Sequence, residues 1–201
     1  RHVRVLDLST GYAASLCSLH LADQGAHVFG LHDESLARPY KEDPFLSHKV
    51  LLRRGQIEQL PELLHTLLPH VDVVLEDQSR SALDDTSMAL LEHHHVIHAH
   101  LPDFHPHTSH GISSAPSKAL PPGALEAFMG LYEAPLGRHP SAHNLSLLDV
   151  TAAAWMTSAI VAALIGRARQ KRPFSLLLPR ADVAYPILEL TAMFTLQPPR
   201  V

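Results

Sequence analysis

The sequence predicts an α/β fold of the Rossmann-like type, a mostly parallel sheet with helices on both faces. Three observations lead to this class. Short β-rich apolar runs alternate with stretches that carry apolar residues at helical spacing. The N-terminal segment is a strand–helix–strand unit, and such units place their strands in parallel. Hydrophobic residues make up 46% of the 201 residues and charged residues 18%, which is typical of one globular domain.

The N-terminal unit contains the first predicted binding site. Val5–Leu8 is a β-rich run, Tyr12–Asp23 has apolar residues at helical spacing, and His27–Leu31 is a second β-rich run. Gly25 stands where a helix C-terminus favours a left-handed residue. Because ligands of parallel sheets lie at the carboxyl ends of the strands, we expect the loop and helix start at Ser9–Ala14 to face a ligand.

The later elements continue the alternation. A polar, proline-containing segment at 32–49 is predicted to be a surface loop. The elements predicted after it are a strand at 50–52, a helix at 56–68, a strand at 71–76, a helix at 86–92, a strand at 96–101, a helix at 124–133, a long helix at 149–169, a strand at 175–178 and a helix at 181–196, with Pro186 near the first turn of this last helix.

These elements are predicted to form one domain in three portions. Residues 1–101 form the βαβ-rich sheet portion. Residues 102–143 contain seven prolines and many histidines, which leaves room for little more than one short helix. Residues 144–201 add the long buried helix and the last strand and helix. The chain begins at Arg1 rather than at a methionine, so we expect a trimmed or processed piece of a longer protein.

Composition argues against several partners. The formal net charge is −4 and no run of lysines and arginines is present, so neither nucleic acid nor an anionic membrane is expected to bind. The single cysteine, Cys17, is expected to be a small core residue, and its use suits a reducing, cytoplasmic compartment. The apolar stretch Leu145–Gly166 is long enough for a membrane span, but Asp149 and six alanines within it favour a buried core helix.

Asp149 is the most informative single residue. It stands at the predicted start of an otherwise apolar helix, where a carboxylate can accept hydrogen bonds from free backbone amides and interact with the helix dipole. One interpretation is therefore a helix N-cap, which the sequence alone favours. The other is a nucleophilic carboxylate in a partly apolar pocket, of the kind that forms acyl intermediates.

Histidine is unusually frequent, with 17 residues, many of them between positions 93 and 110. Strand alternation places His98 and His100 on one face, and His105 and His107 could join them in a zinc-like site. No HExxH or paired CxxC pattern accompanies them, so no metal is expected, and a histidine-rich surface is the simpler interpretation. The chain also lacks a GxSxG elbow, a GxGxxG fingerprint and a P-loop, which argues against an α/β-hydrolase site and against NAD or ATP.

Four segments together carry a family resemblance. Arg4–Leu8 and Leu21–Val28 are similar to the pattern RVLDL…LADLGADV, and Val71–Asp77 is similar to ADVVVEN. Asn144–Asp149, followed by an alanine-rich helix, resembles a segment that bears a catalytic aspartate. In this order and spacing, the segments resemble the class III (CaiB/BaiF-like) CoA-transferases, the family of formyl-CoA transferase, carnitine CoA-transferase and α-methylacyl-CoA racemase.

The resemblance implies the large-domain half of an acyl-CoA:carboxylate CoA-transferase. Asp149 would attack a donor acyl-CoA thioester, form a mixed anhydride and then an aspartyl-CoA thioester, and pass CoA to a carboxylic acid. The segment Tyr12-Ala13-Ala14 would lie near the thioester, and Lys49 and Lys118 near the CoA phosphates. The resemblance also implies an interlocked homodimer and, because family members are about twice as long, a missing C-terminal half.

The chain differs from the family pattern at three places. The family's glutamate–arginine pair after the second strand is His32-Asp33, its ENFRPG turn is replaced by residues 76–81 (EDQSRS), and its GFGxxGP loop by residues 103–108 (DFHPHT). Loss of these glycines removes positions at which the backbone can approach a ligand closely. The alternative hypothesis is therefore a degenerate family member that kept the fold as a scaffold or dimerisation domain without catalytic activity.

Overall fold

The computed structural model describes residues 2–32, 49–53, 60–77, 83–105, 124–131, 146–170 and 172–195. Its strands are β1 (Arg4–Asp7), β2 (His27–His32), β3 (Lys49–Arg53), β4 (Val73–Glu76), β5 (Ile97–His100) and β6 (Phe174–Leu177). Its helices are α1 (Tyr12–Asp23), α2 (Leu60–Leu67), α3 (Asp85–His93), α4 (Ala124–Phe128), α5 (Leu147–Gln170) and α6 (Arg180–Thr195), and a 3-10 turn, Leu68–His70, follows α2.

The six strands form one parallel sheet with the order β3-β2-β1-β4-β5-β6. This order is that of the doubly wound Rossmann fold, in which the chain direction across the sheet reverses between β1 and β4. At that switch point two loops leave the sheet in opposite directions and a crevice opens at the carboxyl edge. The predicted fold class, a mostly parallel sheet in an α/β domain, is confirmed.

Alternate residues of the central strands pack on opposite faces of the sheet. Val5 and Ile97 belong to a cluster with side chains of α1, α5 and α6. Leu6 and Val74 belong to a second cluster with side chains of α2 and α3. Both faces are covered by helices, as a parallel sheet requires, because its strands have no face that tolerates water.

Helix α5 is the central helix of the first face. Its buried residues are Leu148, Asp149, Ala152, Ala153, Met156, Thr157, Ile160 and Ala163. The small alanines let α5 pack closely along α1, and the Thr157 hydroxyl lies 3.4 Å from the Cys17 sulfur. Burial raises the pKa of Cys17 to about 12, so this side chain remains a neutral thiol. Cys17 is thus a core residue, as predicted.

Helix α5 is also long and apolar enough to cross a membrane, judged by length and composition alone. In its most apolar stretch 44% of the residues are buried within the protein. A core helix passes the same test of length and composition, so this feature does not by itself indicate a membrane span.

Four predicted boundaries are wrong. Lys49 was expected in a surface loop but is the first residue of β3, where its side chain is buried. Helix α5 begins at Leu147 rather than at Asp149. Pro186 lies beyond the first turn of α6, in the helix interior. The helix predicted at 124–133 ends at Phe128. In the first case a tertiary contact overrides the polar local sequence, because the charge of Lys49 is compensated by a residue distant in the chain.

A substitution at Gly166 tests the packing of α5 against the edge strand β6. A Cβ atom at this position would lie 2.9 Å from the ring of Phe174, which Arg172 covers on one side at 5.2 Å. Gly166→Ala would stabilise an unhindered helix, but here we expect a loss of about 1–3 kcal/mol from overpacking. Thermal unfolding measures this change, and Phe174→Leu in the same chain should recover most of it. An unchanged or higher melting temperature for the single variant would show that the ring moves aside freely.

Candidate active site

Charged side chains are concentrated at the carboxyl edge of the sheet, around the switch point. Asp7 ends β1, Asp77 directly follows β4, Asp103 follows β5, and Asp149 lies in the first turn of α5. Each of these four carboxylates is at most 5% exposed. Since buried charges need partners, the question is which cations compensate them.

Lys49 compensates Asp7. Its Nζ lies 2.7 Å from Asp7 Oδ2, and the amide of Ser9 donates to Oδ1 at 2.9 Å. Strand β2 lies between the two partner strands, and Gly30 is the β2 residue in register with Asp7. A glycine at this point leaves room for the lysine to reach across β2. The structure therefore places the ammonium group against Asp7, and the role of Lys49 towards CoA stays a prediction.

Asp77 closes the loop between β1 and α1. The amide of Thr10 donates to Oδ1 and Oδ2 at 3.1 and 3.0 Å, and the amide of Gly11 donates to Oδ2. A Cβ atom at Gly11, the N-cap residue of α1, would lie 2.7 Å from Oδ2, so a side chain there would displace the Asp77 carboxylate. A carboxylate of the chain itself thus occupies amides at a helix N-terminus, where Rossmann-like folds commonly bind an anionic ligand.

Arg180 joins Asp149 to Asp103. Its Nη1 donates a hydrogen bond to Oδ1 of Asp149. Its Nη2 and its Nε both donate to Oδ1 of Asp103, and the bond from Nε is 2.8 Å long. Backbone bonds fix the arginine in place, because the amides of Arg180 and Ala181 donate to the carbonyls of Pro102 and Asp103 at 2.7 and 3.0 Å. Burial lowers the pKa of the guanidinium, but the charges of Asp149 and Asp103 outweigh this, so its pKa is raised overall and the group stays charged.

The favoured N-cap interpretation of Asp149 is wrong. Its own amide donates to Ser146 Oγ at 3.0 Å, so Ser146 caps the helix. Glu126, from α4, accepts hydrogen bonds from the Leu148 amide at 3.2 Å and from Ser146 Oγ at 2.7 Å. Because these two residues satisfy the start of α5, the carboxylate of Asp149 is left to interact with Arg180.

A small pocket opens beside these groups, with an empty volume of about 190 Å³ including its mouth. It is lined by Gly11, Ala13, Ala14, Asp77, Leu101, Asp103 and Arg180. Of the residues predicted to contact CoA, Ala13 and Ala14 line this pocket and Tyr12 does not, while Lys118 lies outside the described residues. The enclosed part of this space is about 10 Å³, which is room for about one water molecule.

The predicted histidine pair lies on the other face of the sheet, since His98 is in register with Val74. Its Nε2 is 2.7 Å from Glu76 Oε1, and the rings of His98 and His100 are 6.0 Å apart. The buried Nδ1 of His98 has no hydrogen-bond partner. No set of three metal-ligating side chains comes together within the described stretches, and His107 is outside them.

Sequence reasoning missed three residues of the site, Asp77, Asp103 and Arg180. Asp77 and Asp103 could have been predicted, because residues just after parallel strands lie at the edge where ligands bind. In the sequence analysis, this rule was applied only to the first strand. Arg180 carries no comparable signal, because its partners are 31 and 77 residues away in the chain.

Comparisons with known proteins bear on the fold. No protein-family profile matches the sequence, and no curated protein is similar to it in sequence. A CaiB/BaiF family protein from Brucella suis is similar in structure, with a TM-score of 0.75 at 18% identity, and Rv3272 from Mycobacterium tuberculosis gives 0.75 at 22%. Each comparison covers 98% of this chain and 58% of the other. The resemblance to class III CoA-transferases is thus confirmed for the fold, and the chain spans under three fifths of these structures.

Replacing Asp77 by asparagine should stabilise the protein at neutral pH. Burial raises the pKa of Asp77 against the hydrogen bonds from Thr10 and Gly11, which lower it. The folded state therefore binds this proton more tightly than the unfolded chain, and stability falls as the pH rises from about 3.9 through the raised pKa. Asp77→Asn has no carboxylate at this position, so its stability does not fall in this way as the pH rises. Each kcal/mol of additional unfolding free energy raises the melting temperature by about 2–4 °C.

Melting curves of Asp77→Asn between pH 3.5 and 8 test the sign. The melting temperature of Asp77→Asn should exceed that of the wild type at pH 7, and this difference should disappear towards pH 3.5. Asp84→Asn is the matched control, because hydrogen bonds from Ser87 lower the pKa of this exposed N-cap residue, so no increase in melting temperature is expected at pH 7. A gain for Asp77→Asn that persists unchanged at low pH would contradict the explanation.

Removing the Lys49 charge should destabilise the protein severely. Lys49→Met leaves Asp7 as a buried, unpaired carboxylate, for which we expect a loss of about 3–5 kcal/mol in unfolding free energy. Adding Asp7→Asn should restore part of it, because the uncompensated charge is then gone. Arg167→Met is the control, since the Arg167–Asp72 pair is about one fifth exposed and should contribute less. Equal losses for Lys49→Met and Arg167→Met would refute the role of burial.

Proposed function

We propose that this chain is the acyl-CoA-binding half of an acyl-CoA:carboxylate CoA-transferase, with Asp149 as the nucleophile. The observation that carries the proposal is the position of Asp149. In a CaiB/BaiF-like fold, its carboxylate is buried at the carboxyl edge of the sheet and is linked through Arg180 to a pocket at the β1/β4 switch point. Buried carboxylates without a capping role, next to a ligand crevice, are candidates for covalent catalysis.

The chemistry follows from a carboxylate that meets a thioester. The Asp149 carboxylate attacks the carbonyl carbon of the donor, the C–S bond breaks, and a mixed anhydride and CoA thiolate result. The thiolate then attacks the Asp149 carbonyl, which releases the donor's carboxylic acid and leaves an aspartyl-CoA thioester. The acceptor carboxylate attacks this thioester, and the returning thiolate converts the second anhydride into the new acyl-CoA and free Asp149. No metal is needed in any of these steps.

The residues that line the pocket suit the thioester end of the donor. Gly11, Ala13 and Ala14 are small residues that allow a ligand to approach the start of α1, and Leu101 provides an apolar wall. The enclosed space of about 10 Å³ holds no more than about one water, so the thioester would lie at the open mouth of the pocket. We therefore propose that the rest of CoA is bound by residues outside this pocket, including Lys118, and by a second copy of the chain or by a missing half, in the cytoplasm.

A second candidate is a scaffold or dimerisation domain without activity. It is favoured by Asp77, whose carboxylate accepts hydrogen bonds from the amides of Thr10 and Gly11. These amides would otherwise be available to a ligand. The small pocket points in the same direction. Under this proposal the charged groups at the carboxyl edge have only a structural role, and acyl-CoA does not bind.

Trapping of a covalent intermediate tests the first proposal. We expect intact-protein mass spectrometry to show an adduct after incubation with a panel of acyl-CoAs, and hydroxylamine to convert it to a hydroxamate at Asp149. Asp149→Asn, an isosteric change, should abolish the adduct because an amide is a poor nucleophile. Asp85→Asn is the control, since Asp85 is an exposed acid in the first turn of another helix.

The same experiment separates the two candidates. An adduct in the wild type and in Asp85→Asn, together with its loss in Asp149→Asn, supports the transferase. If no donor gives an adduct and CoA leaves the melting temperature unchanged, the transferase proposal fails and the scaffold is favoured.

A further inference from the structure

The two oxygens of Asp149 are in different environments. Oδ1 accepts a hydrogen bond from Nη1 of Arg180, whereas no hydrogen bond from any described residue reaches Oδ2. The side chain as a whole is only 2% exposed. One oxygen is therefore fixed and the other keeps its lone pairs available.

Arg180 is bound more firmly to Asp103 than to Asp149. Asp103 receives two hydrogen bonds, from Nε and Nη2, and the backbone of α6 is attached to the segment that contains Asp103. Asp149 receives one hydrogen bond, from Nη1. Asp103 therefore fixes the position of Arg180. Asp149 can lose its negative charge while Arg180 stays bound to Asp103.

The three groups carry one positive and two negative charges. A covalent acyl or CoA group on Asp149 would remove one negative charge and leave Arg180 and Asp103 as a balanced pair. A buried guanidinium without a counter-ion is strongly unfavourable, so the balance matters for the stability of such an intermediate. Both Arg180 and Asp103 line the pocket in which the thioester is proposed to lie.

We propose that Arg180 and Asp103 are positioning residues for Asp149. Arg180 keeps the buried Asp149 carboxylate ionised and holds Oδ1, so that Oδ2 is the oxygen that attacks. Asp103 orients Arg180 and remains its counter-ion while Asp149 is acylated. This assignment rests on the proposed transferase function.

The physical reason lies in the cost of burying charge. A carboxyl group that is removed from water and has no cationic partner takes up a proton, and a protonated carboxyl is not a nucleophile. Within the described stretches, the other charged groups of the site do not supply a second cation to Asp149. Asp77 and Glu126 are acidic, and Lys49 is paired with Asp7.

The first test measures the protonation of Asp149 without requiring activity. The protein is labelled with ¹³C at the aspartate carboxyl carbons, and the Asp149 signal is assigned by its loss in Asp149→Asn. In Arg180→Met we expect the pH at which Asp149 takes up its proton to rise by at least one unit, a tenfold change in affinity. Arg180→Lys, which retains a cation, should stay closer to the wild type. Coinciding curves for the wild type and Arg180→Met would overturn the role of Arg180.

The second test measures the role of Asp103 in single-turnover acylation. In Asp103→Asn, Asp149 is the one carboxylate among the described residues that still forms an ion pair with Arg180, so acylation of Asp149 breaks the last of these ion pairs. We expect the acylation rate at saturating acyl-CoA to fall at least tenfold with an unchanged half-saturating concentration, and Asp103→Glu to recover part of the rate. A purely structural role would change the melting temperature but not this rate, and an unchanged rate in Asp103→Asn would overturn the assignment.

The two tests also separate this inference from the proposed function. A wild-type protein that forms no adduct contradicts the transferase and, with it, the role of Asp103 in acylation. The titration still decides whether Arg180 keeps Asp149 ionised. If Arg180→Met does not fold, as judged by far-UV circular dichroism, Arg180→Lys and Asp103→Asn are compared in the same titration. A rise in the protonation pH of Asp149 that is smaller than one unit is expected for Arg180→Lys and no rise for Asp103→Asn, and no rise in either variant would overturn the role of Arg180.

Discussion

The carboxyl edge of the sheet depends on one arginine. A parallel sheet ends all of its strands at one edge, and here the carboxylates at that edge are buried. Arg180 compensates two of them, Asp103 and Asp149, and its backbone attaches the start of α6 to the segment after β5. Without it, both buried carboxylates would lose this cation, at a cost of several kcal/mol. The starts of α5 and α6 are therefore held at the switch point by electrostatics as much as by apolar packing.

Most of the fold could be predicted because its determinants are local. Strand and helix periodicities appear within windows of a few residues, and strand–helix alternation implies a parallel sheet. Lys49 shows where such reasoning ends. Its neighbours in the chain are polar and indicate a loop, yet it begins β3, because Asp7 lies within reach across the sheet. This contact depends on the order of the strands in the sheet, which is a property of the whole chain. Neither the segment around Lys49 nor the segment around Asp7 predicts that order.

The site was less predictable than the fold, for two physical reasons. First, a local pattern had two solutions. Ser146 and Asp149 are both suitable caps three residues apart, and the side chain of Asp149 is released from that role because Ser146 and Glu126 satisfy the helix start. Second, the compensating cation is distant in sequence. The acids after β4 and β5 could have been found by applying the strand-end rule to every strand, but no rule of spacing connects Arg180 to them.

Two sets of ion pairs lie at this edge, one around Lys49 and one around Arg180, and they differ in the ratio of acids to bases. Asp7 and Lys49 form a pair of one acid and one base, away from the pocket walls, which is what a structural role requires. Around Arg180 two acids share one base, and two of the three groups line the pocket. A purely structural arrangement gains nothing from the second buried carboxylate, since its desolvation is not fully compensated. In a site where Asp149 alternates between an ion and a neutral acyl derivative, the excess negative charge is present only in the resting state, and the covalent state is the electrically balanced one. Under the proposed mechanism, an acyl derivative of Asp149 would leave Arg180 paired with Asp103.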